Sequence, residues 1–281
     1  DALTANTTGE KNLAIGKGAL DAADTESNNI AIGYDALGGA VAGGEFNVAI
    51  GNNALDALTS GDSNIAVGHD ALTAHTTGHR NLAIGIGALD AADTENDNIA
   101  IGYDALGGEV AAGEFNVAIG NYSLDALTAG DYNVAVGDNT LSANTTGNYN
   151  TATGGWALKA NTIGNSNTAT GGWALNANTE GNSNTAIGVE ALNANTTGNW
   201  NTAIGVVALK ANVSGNGNTA IGVEALEKNT ANYNTAIGLQ ALEANVSGAG
   251  NTAIGSEALQ ANTGSYNTAI GTEAQTANTS G

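Results

Sequence analysis

The chain has 281 residues, among them 41 Gly but no Pro, Cys or Met, and only 4% are aromatic, a mixture far from that of an ordinary globular domain. A formal net charge of −21 argues against nucleic acid and anionic lipid as partners, and the lack of Cys excludes disulfides and thiol chemistry. The 42% of apolar residues, mostly Ala, Ile, Leu and Val, can fill a thin core but not a wide domain with deep pockets.

In chain order, Asp1–Lys11 (DALTANTTGEK) reads as the tail of a repeat whose copies then begin at Asn12, Asn29, Asn47, Asn64, Asn81, Asn98, Asn116 and Asn133. They continue from Asn150, Asn167, Asn184, Asn201, Asn218, Asn234, Asn251 and Asn267, at steps of sixteen to eighteen residues. The consensus is N-[TVIL]-A-[IVT]-G-x-x-A-L-x-A-N-T-x-G-x-x, with Asn, Ala and Gly at its first, third and fifth positions in every copy. Asn12–Arg80 further resembles Asn81–Tyr149, a four-copy block present twice. No run approaches the ~18 apolar residues of a membrane-spanning helix. No signal peptide opens the chain, which begins and ends in mid-repeat and so reads as a segment of something longer.

The short N-T-A-I-G run alternates with period two, and the A-L-x-A run is about five residues, too short for an independent helix. Each copy is therefore expected to be one coil of an all-β parallel β-solenoid. The expected coil has a strand at N-x-A-I-G, a bend, a second short strand at A-L-x-A, and a polar return through N-T-x-G. Gly at the fifth position suits a bend of positive φ. At ~4.8 Å per coil, sixteen coils predict a rod of roughly 75 Å. Strand alternation gives two faces. The expectation is that Ile15, Ile32 and Ile50, with Leu20, Leu37 and Leu55, fill the interior, while the small Ala/Gly face lies outside for a partner chain; the opposite assignment also satisfies the pattern.

At Asn150 the second position changes from Leu, Ile or Val to Thr and stays Thr through Thr268. This divides the chain into residues 1–149, acidic coils with an apolar second position, and residues 150–281, Thr-rich coils continuous with the first. The Thr column predicts cross-coil hydroxyl contacts. The Asn column, with Asn150, Asn167, Asn184, Asn201 and Asn218, predicts a structural amide ladder along the stack.

NVAIG, NIAVG and NTAIGVEALNANTTGN resemble the head repeats of YadA-like trimeric autotransporter adhesins, and are also similar to repeats in bacteriophage tail fibres. The resemblance covers essentially the whole chain. It implies a left-handed parallel β-roll that assembles as a homotrimer on a cell or virion surface. The coil here is longer than the adhesin repeat, with the excess in the N-T-x-G return, and Asn replaces much of the Ser.

Few residues invite a site. His69, His75, His79 and Arg80 fall in one copy but have Asp138, Asn144, Asn148 and Tyr149 as counterparts one block later, so they are expected to be surface residues rather than metal ligands. The acidic positions lack the β-roll calcium signature and read as a solvated face, with Asp21, Gly38, Asp56 and Thr73 alternating to reduce repulsion. Trp156 and Trp173 share one position of neighbouring copies, while Tyr132, Tyr149 and Trp200, with Phe46 and Phe115, share the last. These aromatics are candidates for sugar or protein contact, or for packing at an oligomer seam. Asn6, Asn144, Asn195 and Asn212 begin glycosylation sequons that arise from the turn consensus. No constellation supports catalysis, a metal or a cofactor.

These features point to an extracellular, non-enzymatic fibrous attachment module acting as a spacer and multivalent surface, with a homotrimer and a host-surface glycan or protein receptor as expected partners. The alternatives are a filament subunit stacking end to end, and an ice-binding β-solenoid using ranked Thr.

Overall fold

A computed structural model of the chain describes residues 1–22, 25–39, 44–108 and 113–276. It divides into two compact units, Asp1–Thr146 and Gly147–Gly281. The first contains β1 (Leu13–Ile15), β2 (Ile30–Ile32), β3 (Val48–Ile50), β4 (Ile65–Val67), β5 (Leu82–Ile84), β6 (Ile99–Ile101), β7 (Val117–Ile119) and β8 (Val134–Val136). The second contains β9 (Thr151–Thr153), β10 (Thr168–Thr170), β11 (Thr185–Ile187), β12 (Thr202–Ile204), β13 (Thr219–Ile221), β14 (Thr235–Ile237), β15 (Thr252–Ile254) and β16 (Thr268–Ile270). Within each unit every strand pairs in parallel with the next, and equivalent repeat positions face one another, as in Ala31↔Ala49 and Ala186↔Ala203. The fold is an all-β parallel β-solenoid, and no helix occurs among the described residues.

The coil differs from expectation at A-L-x-A, which forms turns rather than a second strand. The cause is backbone handedness. Leu at the ninth position is left-handed in coil after coil, as at Leu72 (φ 52), Leu175 (φ 51) and Leu242 (φ 54), and so is the residue two before it. A strand cannot accommodate such residues. Inter-coil hydrogen bonds nonetheless continue through the turn: Leu175 N–H donates to Ala191 O at 3.0 Å and Ala177 N–H to Asn193 O at 3.0 Å. The neighbouring coil holds a conformation that an isolated chain would abandon.

Gly at the fifth position has the expected positive φ, 130° at Gly171 and 132° at Gly188. A Cβ on Gly171 would also stand 2.6 Å from Gly188 O, so that bend excludes any other residue on two grounds. Gly at the fifteenth position has a different reason. At Gly181 a Cβ would lie 2.3 Å from Asn178 Oδ1 and 2.5 Å from Gly198 O, a close approach of return loops.

The face assignment reverses the primary expectation for the strand. Ala at the third position is fully buried from Ala31 to Ala253, as at Ala49, Ala83, Ala186 and Ala220, whereas Ile15, Ile50, Ile84 and Ile119 are exposed and Ile32 is half-buried. Leu20, Leu37 and Leu55 do lie inside, with Ala19, Ala36 and Ala54 beside them. A three-residue strand closed by such tight turns encloses a narrow bore: Leu from the turn and Asn from the strand start fill it, leaving room for only a methyl at the third position. The branched side chains at the second and fourth positions point outward.

The twelfth position, in the return, also faces inward. In unit 2 it is Asn in every described coil, from Asn161 to Asn262, all buried. In unit 1 it is Leu58, His75, Ala92, Leu127 or Asn144. Where Ala92 leaves space, Glu95 replaces the usual Gly three residues on and turns inward, its Oε2 accepting Asp93 N–H at 2.8 Å and Thr94 N–H at 3.0 Å. Ala with Glu thus substitutes for Asn with Gly, keeping the return filled and its amides satisfied.

Candidate interaction surfaces

The Asn column at the first position lies inside the coil. Asn150, Asn167, Asn184, Asn201 and Asn218 are fully buried. Each Oδ1 accepts the backbone N–H of the next Asn, at 3.0 Å from Asn167 to Asn150 and 3.0 Å from Asn201 to Asn184. The Nδ2 of Asn184 donates to Asn167 Oδ1 at 3.2 Å and to Gly198 O of the following return at 2.8 Å, and Asn218 finds Ala231 O in the place of the glycine carbonyl. The column occupies its hydrogen-bonding capacity within the stack and offers nothing to a ligand. A second inward ladder joins Asn178 Nδ2 to Asn161 Oδ1 and Asn195 Nδ2 to Asn178 Oδ1, both at 2.8 Å. A third runs along the surface at the sixteenth position, where Asn165 N–H donates to Asn182 Oδ1 at 2.8 Å; unit 1 keeps the same bond with other acceptors, as from Glu45 N–H to Asp62 Oδ1 at 2.8 Å. The consensus holds Asn at the twelfth position but assigns it to a polar turn, and it leaves the sixteenth open, because unit 1 varies the residue at both.

The sequons at Asn144, Asn195 and Asn212 begin at the inward-facing twelfth position, with fully buried side chains, so the folded coil offers no amide there for a glycan; Asn6 is exposed. His75 is likewise not a surface residue. It occupies the twelfth position, fully buried, with Nε2 3.2 Å from Asn81 Nδ2 and Nδ1 without a hydrogen-bond partner. Burial holds its imidazole below the usual histidine range, partly offset by the Gly78 and Ala92 backbone and by Asp93. His69 and Arg80 are exposed and His79 half-buried; they pair with Asp70, Asp97 and Asp62 respectively. The structure does not gather the four into one cluster facing a common point. Among the described residues no group of three His, Cys, Asp or Glu side chains is placed to hold a metal ion.

The acids of unit 1 do not avoid one another as the alternation at the tenth position predicts. Where that position lacks an acid, the seventh supplies one, so Asp35 comes beside Asp21 and Asp56, and Asp104 beside Asp90 and Asp125. Asp35 Oδ1 lies over the seventh position of the preceding coil, which is Gly18 and has no side chain to obstruct it. Partial burial, followed by these neighbouring carboxylates, raises Asp56, Asp90 and Asp125 above the ordinary aspartate range.

The aromatics fall into two arrangements. Trp156 and Trp173 stack at 5.2 Å and 10°, and Phe115 and Tyr132 at 4.9 Å and 6°, so neighbouring rings cover one another. Trp200, by contrast, is 68% exposed and Tyr149 61%.

The outward strand faces distinguish the units most clearly. In unit 1 the second and fourth positions of all eight strands are Leu, Ile or Val, two apolar columns of which Leu13, Ile50, Ile65, Ile84 and Ile119 are exposed. In unit 2 the second column is Thr throughout, and the fourth is Thr153 and Thr170 followed by Ile. The expected cross-coil hydroxyl contacts do not form: among the described residues no hydrogen bond engages the hydroxyls of Thr151, Thr168, Thr185 or Thr202. No helix among the described residues is long and apolar enough to cross a membrane.

No protein-family model matches the chain, and no curated protein matches it.

Proposed function

We propose that the chain is a segment of an extracellular attachment fibre, of the kind found in YadA-like adhesin heads or phage tail fibres, working as a homotrimeric spacer and multivalent contact surface on a cell or virion. The proposal includes no catalytic step. The observation that carries it is the outward face of unit 1, where two unbroken columns of Leu, Ile and Val flank a buried Ala column. A flat apolar face of this extent calls for a cover, and copies of the same chain present the matching spacing. Interiors closed by Asn ladders leave the exposed turns for receptor contact, each weak and repeated along the stack.

Light scattering on the purified chain at micromolar concentration tests the assembly. Three chains per particle are expected, and Ile50→Lys combined with Ile84→Lys should return single chains. A monodisperse monomer in the unsubstituted protein contradicts the proposal.

The unpartnered Thr hydroxyls favour one second reading, a flat face that orders water and binds ice. Only β9 and β10 carry Thr in both columns, which weakens it. Thermal hysteresis of a dilute solution decides it: none is expected for the fibre.

A further inference from the structure

We infer that unit 2 carries a binding edge for a neutral, β-linked polysaccharide chain, formed by Trp200, Tyr233 and Tyr266. The inference deepens the attachment reading and rests on it by naming the chemistry of the receptor.

All three occupy the last position of the coil, and they recur on every second coil, 33 residues apart in each case. Their backbones share one left-handed conformation, with φ of 57°, 59° and 61°. They are held in register by inter-coil bonds: Trp200 N–H to Asn182 O at 3.1 Å, Tyr233 N–H to Asn216 O at 2.9 Å and Tyr266 N–H to Ala249 O at 2.9 Å. The rings are 68%, 68% and 86% exposed.

The intervening coils carry Gly217 and Gly250 at the same position, again left-handed. A Cβ on Gly217 would lie 2.8 Å from Tyr233 Cδ1, and one on Gly250 2.8 Å from Tyr266 Cδ1. Each tyrosine ring therefore leans across a coil emptied of its side chain. Tyr233 and Tyr266 also end the two sixteen-residue coils, whose returns are one residue shorter. There Asn229 and Asn262 turn their Nδ2 to Ala231 O and Gly264 O, and Asn212 Oδ1 and Asn245 Oδ1 are left without partners. The shortening interrupts the interior ladder at both places where an exposed tyrosine stands.

Spacing separates this row from the other aromatics. Trp156–Trp173 and Phe115–Tyr132 sit on consecutive coils and consume each other's faces. Among the described residues no ring contact joins Trp200, Tyr233 and Tyr266, so no other aromatic ring covers the surface that they expose. Two coil rises place successive rings about 9.6 Å apart. That matches the two-sugar repeat of an extended β-1,4-linked hexose ribbon, in which every second ring presents the same apolar face. Aromatic rings with one apolar face and a wet rim suit stacking on such sugars. The Thr column two residues further along each coil, with Thr202, Thr219, Thr235 and Thr252, has hydroxyls that no residue engages and that can bond sugar hydroxyls. Anionic polymers are disfavoured by seven acidic residues against three basic ones in unit 2 and by the net charge of the chain.

The test is depletion of the full chain from solution by microcrystalline cellulose and by chitin, with insoluble α-linked glucan as comparison, at 0.5 M NaCl. The protein is expected to bind at least one β-linked solid, at least tenfold better than the α-linked one. Trp200→Ala with Tyr233→Ala and Tyr266→Ala should reduce retention at least tenfold while leaving circular dichroism and particle mass unchanged. Trp156→Ala with Trp173→Ala should leave retention within twofold. Failure to bind either β-linked solid, equal binding to the α-linked glucan, or retention unaffected by the triple substitution overturns the inference. The particle mass, read on the same samples, reports separately on the assembly: a trimer that binds no polysaccharide rejects this edge and leaves the fibre standing.

Discussion

Units 1 and 2 run one coil with two sets of columns. Both bury Asn at the first position, Ala at the third and eighth, and Leu at the ninth. They diverge at the twelfth position, which is mixed in unit 1 and Asn in unit 2, and on the outside. There unit 1 combines an apolar sheet face with crowded aspartates, against a Thr-lined face with few charges in unit 2. The difference separates what the coil requires from what it tolerates: the first-position ladder is common to both, and the second ladder is one of several ways to fill the return.

Breaking the common element should cost most. Asn184→Ala removes the acceptor for Asn201 N–H and Asn201 Nδ2 and one of two donors to Gly198 O, which keeps its bond from Asn195 Nδ2. The buried Asn201 N–H is left orphaned at about 1–3 kcal/mol and the truncated side chain leaves a void beside it, so urea unfolding of unit 2 should lose on the order of 3 kcal/mol. Asn178→Leu imposes on unit 2 the residue that Leu58 and Leu127 supply in unit 1. It removes the donor to Asn161 Oδ1 and one acceptor of Asn195 Nδ2, but Asn195 Nδ2 keeps its bond to Gly198 O, Gly181 O keeps its bond from Asn167 Nδ2 and Leu fills the volume, so the loss should stay near 1–2 kcal/mol. Equal losses for the two variants would remove the distinction between required and tolerated columns.

The sequence pattern carried the coil length, the bend glycine, the leucine core and the first Asn ladder, because each repeats in register and obeys a local rule. It did not carry the strand orientation. In N-T-A-I-G both parities are plausible by hydrophobicity alone: Ile looks like core and Ala like a contact surface. What decides is the bore of the coil, set by left-handed residues such as Leu175 and Trp173 that propensity gives no reason to expect. Alternation puts the invariant Asn on the same side as Ala, and its amide, satisfied between coils, is the one feature of the pattern that marks that side as the interior. His75 was hidden for a related reason. The twelfth position looks like a polar loop until unit 2 shows it to be interior, and only the change from Asn-x-x-Gly to Ala-x-x-Glu in the neighbouring copy hints at that.

Unit 1 has an acid-labile point that unit 2 lacks. The His75 imidazole is buried and held below its ordinary range, so its contribution to stability is complete above the unfolded value of about 6.5 and is lost as pH falls through the lower folded one. Asp93 favours the charged form and His79 opposes it, while burial outweighs both. The protection of amides in β3 to β5 against hydrogen exchange, relative to their intrinsic exchange rates, should therefore fall on moving from pH 7.5 to 5, with β11 to β13 as internal reference. His75→Leu, which copies the residue at Leu58, should abolish the difference. A loss of protection that persists in the substituted protein would place the labile point elsewhere.

The smallest effect runs the opposite way with pH and sharpens the same contrast. Asp90 is raised by burial and then by Asp104, Asp70 and Asp125, so the fold prefers it protonated: its destabilising influence is present at neutral pH, and stability is recovered as pH falls through the raised value toward the unfolded one of about 3.9. Asp90→Asn should raise the melting temperature of unit 1 slightly at pH 7 and low salt, and should have no effect below the unfolded value, where the carboxyl is already neutral. Ionic strength should remove the share of the gain owed to the neighbouring carboxylates, the screening length being about 10 Å at 0.1 M, and leave the share owed to burial. A gain that vanishes altogether in salt would mean that repulsion along the row outweighs desolvation of Asp90, and the crowding of unit 1 would then be a matter of charge between coils rather than of burial.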